Sequence, residues 1–206
     1  MVRTLQFAAL FCVYAAGMAC TADQTKPTSS ATAVAANVKS VAVLIETTMG
    51  NMKVELYPDK APKTVESFLV YVNEGFYTDT IFHRVIPGFM IQGGDLTANM
   101  QEKPTRPPIP LESRNGLKNV RGAVAMARTS DPNSGTSQFF INIKDNPELD
   151  YPKPDGHGYA VFGKVIEGMG VADKIVAAPT TTRSGYRDVP IDPIVITRVT
   201  LATLAK

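Results

Sequence analysis

Cysteine is confined to the first twenty residues: Cys12 and Cys20 are the only two in a chain of 206. Everything downstream lacks a thiol for an internal disulfide or a thiolate metal site, so the fold must stand on packing alone. Histidine is nearly as scarce, with only His83 and His157. Neither H-E-x-x-H nor another paired-ligand spacing occurs, which argues against a metal-dependent hydrolase; no metal and no cofactor are expected. Charge of one sign is also missing, because a formal net charge of +2 offers no basic excess to nucleic acid or to an anionic membrane. No internal repeat is present, and Gly93-Gly94-Asp95 lacks the lysine and flanking spacing of a phosphate loop. What remains is 44% hydrophobic and 19% charged, the composition of one globular domain with extra sequence at an end.

That extra sequence is N-terminal. Arg3 precedes an apolar run from Leu5 to Ala16, followed by the small residues Ala15, Ala16, Gly17 and Ala19. This is the order of charge, apolar stretch and cleavage site in a secretory signal, here residues 1–19, and the run is too short to span a bilayer as a mature helix. Two readings of the cleavage stay open. Gly17-Met18-Ala19-Cys20 resembles a bacterial lipoprotein box without the usual leucine, which would lipidate Cys20 and anchor the chain to a membrane. Alternatively, a small-x-small site at Gly17 and Ala19 would leave Cys20 as the first residue of a soluble exported protein. From Thr21 to about Asn37 the composition shifts to Thr, Ala, Ser, Asp, Gln and Lys with no apolar periodicity, so the segment 20–38 buries too little surface to offset ordering entropy and reads as a tether. The expected location is the periplasm.

From residue 39 to 206 the pattern changes. Val41, Val43 and Ile45 recur at period two, Gly50-Asn51 interrupts, and Met52, Val54 and Leu56 alternate with Lys53 and Glu55, which predicts a β-hairpin. Pro62 then opens a helix whose apolar stripe is Val65, Phe68, Leu69 and Val72, with Gly75 as the stop. Further β-prone runs lie at Ile81–Ile86, Phe89–Gln92, Ala123–Ala127, Gln138–Ile143, Tyr159–Val165 and Ile194–Leu201. A second helix carries Met169, Ala172, Ile175 and Val176 on one side and ends before Pro179. The expectation is a mainly β fold, a closed eight-stranded antiparallel β-barrel capped by two α-helices, since closure removes exposed strand edges.

The chemistry concentrates in Phe82-His83-Arg84-Val85-Ile86-Pro87-Gly88-Phe89-Met90-Ile91-Gln92-Gly93-Gly94-Asp95. Pro87-Gly88 is a turn signal, so the strand bearing Arg84 should fold back beside Met90 and Gln92, which are two apart and share a face. An isolated strand arginine is by default a solvated surface residue. This block, however, resembles the signature of the cyclophilin family, and Ala125-Met126-Ala127-Arg128, Ser137-Gln138-Phe139-Phe140-Ile141 and Tyr159-Ala160-Val161-Phe162-Gly163-Lys164-Val165 resemble its later blocks in the right order.

The resemblance implies a peptidyl-prolyl cis/trans isomerase, closest to bacterial exported cyclophilins, that acts on proline-containing unfolded or partly folded polypeptides. It implies that Arg84 is catalytic and that Phe89, Met90, Phe140 and Leu149 line a proline pocket. Gln92 would bind the substrate backbone and help hold Arg84, Ala127, Arg128 and Gln138 would flank the groove, and His83 and Tyr159 would stand at its rim. A noncatalytic peptide-binding or chaperone module is the alternative, and intact Arg84, Phe89, Met90, Gln92 and Phe140 favour the enzyme. Nothing in the sequence calls for an obligate oligomer, so a monomer is expected. The chain departs from the better-known eukaryotic pattern where Arg128 replaces asparagine, Tyr159 replaces histidine and Glu148 replaces tryptophan. Because that tryptophan contributes to cyclosporin binding, only weak inhibition is expected here; a tight cyclosporin complex in a calorimetric titration would contradict it.

Overall fold

The computed structural model describes residues 41–204; the leader, the tether and Cys20 lie outside them. Strand β1 (Val41–Thr47) pairs with β2 (Gly50–Leu56) as the alternation predicts. The turn falls earlier than Gly50-Asn51, however, since Thr47 is already opposite Gly50. Thr47 makes this possible: its hydroxyl donates to the Gly50 carbonyl at 2.6 Å and accepts from the Met49 amide at 3.1 Å, a side-chain substitute for turn-forming residues.

Helix α1 (Pro62–Asn73) begins with its proline in the first turn but has no side-chain cap of its own. The cap arrives from far along the chain. Glu112 accepts from the Lys63 amide at 3.0 Å, the Thr64 amide at 2.8 Å and the Thr64 hydroxyl at 2.7 Å, which satisfies donors that a helix start leaves open and places a negative charge at its positive end. A cap of this kind contributes about 1 kcal/mol. The buried face also differs from the expected stripe: Tyr71 joins Val65, Phe68 and Val72, while Leu69 is only half-buried. Tyr71 can be buried because its hydroxyl accepts the Arg106 amide at 2.9 Å.

The remaining barrel strands are β3 (Thr80–Ile86), β4 (Met90–Thr97), β5 (Ala123–Met126), β6 (Phe139–Asn142), β7 (Val161–Glu167) and β10 (Val195–Ala202). They close with β1 and β2 in the order β1-β10-β3-β4-β6-β5-β7-β2, every pairing antiparallel. Helix α2 (Met169–Val176) buries Ala172 and Ile175 in the same core that receives Val65, Phe68 and Tyr71 of α1. Phe68 meets Tyr77, Phe139 and Phe162 at 5.1–5.7 Å between ring centres. These rings fill the interior, as in other small barrels, and leave no lumen for a carried ligand.

One element was not foreseen. Strands β8 (Thr180–Arg183) and β9 (Tyr186–Pro190) form a separate two-stranded ribbon. Ser184 and Gly185 connect them with φ of 51° and 84°, the left-handed pair of a tight hairpin turn. Its first strand, Thr-Thr-Thr-Arg, is almost wholly exposed, so no apolar alternation marks it. The ribbon covers a small satellite core of Ile81, Leu96, Met100 and Val189.

Candidate active site

Register builds the site. Arg84 of β3 lies opposite Gln92 of β4, Gln92 opposite Phe140 of β6, and Phe140 opposite Ala125 of β5. Directly paired residues share a face, so these four form one lateral row on the outside of the barrel. The neighbouring row, Val85, Ile91, Ile141 and Val124, points inward and belongs to the aromatic core. A second apolar cluster therefore forms on the outer wall, with Met90, Ala123, Ala125, Ala127, Phe140, Leu149 and Val161 at its centre. A depression opens in this wall, and of the cluster's three alanines only Ala127 borders it.

That depression is a cavity of about 150 Å³ lined by Arg84, Phe89, Met90, Gln92, Ala127, Arg128, Phe140, Leu149 and Tyr159. Apolar side chains form the floor, and one cation and one amide stand on one side. A larger cavity, of about 430 Å³, sits among Lys60, Glu112, Arg114, Asn133 and His157, but none of the residues that the motif blocks single out line it. The smaller one is the site with an apolar grip.

Arg84 is exposed, and its Nη1 donates to Gln92 Oε1 at a long 3.4 Å. No carboxylate pairs with it among the described residues, so most of its donors stay free for a ligand. Gln92 is held from behind: its Nε2 donates to Gln138 Oε1 at 2.7 Å, and Gln138 Nε2 in turn donates to the Asp95 carboxylate. A polar chain thus runs from Arg84 through Gln92 and Gln138 to Asp95.

Two expected rim or groove residues stand elsewhere. Gln138 does not line the cavity but sits one step behind Gln92. His83 is turned away altogether. It is 3% exposed, with Nδ1 3.4 Å from Asp95 Oδ1 and its ring edge-on to Tyr186 of β9. The cause is local: the β3–β4 register shifts on both sides of Phe82, and such bulges re-aim side chains. Gly93 permits the bulge, since a Cβ there would lie 2.6 Å from the Ile81 carbonyl oxygen. Ala127 lines the cavity as expected, whereas the role of Asp95 was missed from the sequence, because it joins the site only through contacts across strands.

An outward slot with an apolar floor and a free guanidinium on a filled β-barrel defines a class of peptide-handling barrels. The comparisons narrow it. Residues 42–201 match the family of cyclophilin type peptidyl-prolyl cis-trans isomerases. Peptidyl-prolyl cis-trans isomerase A of Dickeya dadantii is 54% identical over 157 residues, 76% of this chain and 82% of that protein. Peptidyl-prolyl cis-trans isomerase B of Escherichia coli is 48% identical over 162 residues, 78% of this chain and 99% of that protein. Among solved structures, a cyclophilin type isomerase of Cryptosporidium parvum superposes with a TM-score of 0.67 at 30% identity, covering 81% of this chain and 99% of that one. A second structure of it, in the presence of the dipeptide Ala-Pro, gives 0.66 at 31% identity, covering 79% and 99%. The chain belongs to the cyclophilin family and is a peptidyl-prolyl cis-trans isomerase.

The buried pair behind the site has its own electrostatics. Burial, reinforced by the Arg84 charge, lowers the His83 pKa from 6.5 to about 4, so the imidazole is neutral at pH 7. Burial raises Asp95 from 3.8 to about 6, against the hydrogen bond from Gln138. For His83 the folded chain binds fewer protons than the unfolded one between these limits, so stability is lost as pH falls from 6.5 towards 4; for Asp95 it binds more, so stability is gained as pH falls from 6 towards 3.8. The two effects oppose each other. Asp95→Asn should leave the His83 effect unopposed and make urea stability fall more steeply from pH 6.5 to 4 than in wild type, by on the order of 2 kcal/mol. His83→Gln should shift the slope the other way, and parallel curves for all three proteins would refute the assignment.

Proposed function

We propose that the slot takes the ring of a prolyl residue and that Arg84 accelerates rotation of the bond before it. An X-Pro bond prefers trans by only about 0.5–1 kcal/mol, yet the barrier between isomers is roughly 18–20 kcal/mol. Halfway through rotation the amide loses resonance, and the proline nitrogen regains a lone pair that accepts a hydrogen bond. A guanidinium is always charged and presents donors in a rigid fork, which suits that transient acceptor. Phe89, Met90, Phe140 and Leu149 would hold the ring still and exclude water, so that the Arg84 interaction is strongest when it forms. The barrier needs to fall by about 7 kcal/mol for a roughly 10⁵-fold acceleration, within reach of one charged donor plus positioning. No covalent bond is made or broken, so the reaction needs no nucleophile and no general base.

The observation that carries this reading is the register pairing of Arg84 with Gln92, which sets a free cation beside the apolar floor. The Ala-Pro dipeptide used with the Cryptosporidium parvum relative supports the same substrate class. Glu148, exposed beside Leu149, puts a carboxylate where the cyclosporin-binding tryptophan of the eukaryotic pattern would stand. We further propose that the clients are exported proteins, because residues 1–19 read as a secretory signal and residues 20–38 as a tether.

Arg84→Ala should reduce NMR-measured exchange on an Ala-Pro peptide by at least about 10²-fold, with the fold intact by circular dichroism; equal exchange by the two proteins would end the proposal. For location, the full chain should fractionate outside the cytoplasm. Should Cys20 carry lipid, Cys20→Ala should move the protein from the detergent phase to the aqueous phase, and cytoplasmic retention of the intact chain would defeat the export reading.

A further inference from the structure

Two walls of the slot, Leu149 and Tyr159, flank a stretch that has little structure of its own. No helix or strand lies between Leu149 and Val161, and Tyr151–His157 are all exposed. Something outside this loop must fix Tyr159. The ends are tied by the Tyr159 amide donating to the Leu149 carbonyl at 2.9 Å, but that bond does not orient the ring.

Arg128 does. Although it lines the cavity, its side chain is only 2% exposed, and all three of its nitrogens are engaged. Nε and Nη2 donate to the Gly158 carbonyl at 3.0 and 2.9 Å, Nη2 reaches both Asp155 carboxylate oxygens at 2.9 and 2.8 Å, and Nη1 donates to the Thr129 carbonyl at 2.9 Å. Its flat face lies 4.5 Å from the centre of the Tyr159 ring. Tyr159 also meets Phe140 edge-on, with 5.6 Å between centres. Gly158 allows the loop to turn back onto the guanidinium: its φ is +68°, and a Cβ there would come within 2.5 Å of the Tyr151 amide nitrogen. A stack of guanidinium, phenol and phenyl therefore forms one wall, bolted to the loop by Asp155.

We infer that Arg128 is a positioning residue that clamps the Asp150–Gly158 loop through Asp155 and thereby sets Tyr159 and the width of the slot, instead of binding the peptide with its own donors. Loss of the clamp widens the slot, weakening the grip on a five-membered ring and admitting a larger one. Such a contact acts on bound substrate and transition state alike, so it appears in KM and not in kcat. Lysine cannot take over, because it has neither the fork nor the flat face.

The inference rests on the slot holding the proline ring, and the test separates the two. In the full chain, Asp155→Ala and the shape-preserving Asp155→Asn should each raise KM for an Ala-Pro peptide about three- to tenfold with kcat within about twofold. They should also narrow the preference for proline over six-membered pipecolic acid in matched peptides, and speed amide hydrogen exchange across residues 150–160. Arg128→Lys should do the same, and adding Asp155→Ala to it should cost little more, as expected of two residues acting as a unit. If Arg128→Lys raises KM while both Asp155 variants keep wild-type KM, ring selectivity and exchange, Arg128 binds the peptide directly and the clamp is refuted. Full turnover by Arg84→Ala would refute the reading of the slot itself; collapse of that variant alongside unaffected Asp155 variants would refute the clamp alone.

Discussion

The site depends on strand register. A one-residue offset separates the row Arg84, Gln92, Phe140 and Ala125 from the row Val85, Ile91, Ile141 and Val124. One row lies on the outer wall, the other fills the barrel. Because side chains alternate with period two, a slip of one residue would exchange the rows, burying a guanidinium among phenyl rings and exposing isoleucine. The packed interior thus enforces the geometry of the wall outside it, and the slot inherits the rigidity of the core.

Stability and function draw on different parts of the same strands. Aliphatic and aromatic side chains fill the interior, while the outer wall gives Met90, Ala127, Phe140 and Leu149 to the slot. Behind the slot the polar chain from Arg84 to Asp95 trades apolar contact for orientation, and a hydrogen-bonded chain of this kind holds its members in one geometry. His83 shows the cost of such an arrangement, since its Nδ1 and Asp95 Oδ1 are both buried without a hydrogen-bond partner.

Much of this was legible in the sequence. Strict alternation announced β1 and β2, proline and the apolar stripe announced α1, and the fourteen residues from Phe82 to Asp95 carried both a turn signal and the family signature. Of the slot-lining residues, Phe89, Met90 and Phe140 lie in the motif blocks, and Leu149 was implied by the family resemblance alone. What escaped depends on partners distant in the chain. Glu112 is an ordinary glutamate until α1 is laid beside it; His83, expected at the rim beside Arg84, packs against Tyr186 where the strand bulges; Arg128 lines the cavity as expected, but its bonds to Asp155 and Gly158 could not be read from the sequence. The Thr-Thr-Thr-Arg strand escaped for the opposite reason, because a ribbon with one exposed strand carries no apolar alternation to read.

Closure of the barrel joins β1 to β10, with Ala42 opposite Ala202. The first strand of the domain therefore has no permanent neighbour on that edge until nearly the whole polypeptide has been synthesised. Pairing between strands so far apart in the chain carries a loop-closure cost and is formed slowly. The barrel therefore cannot close until its last strand is available.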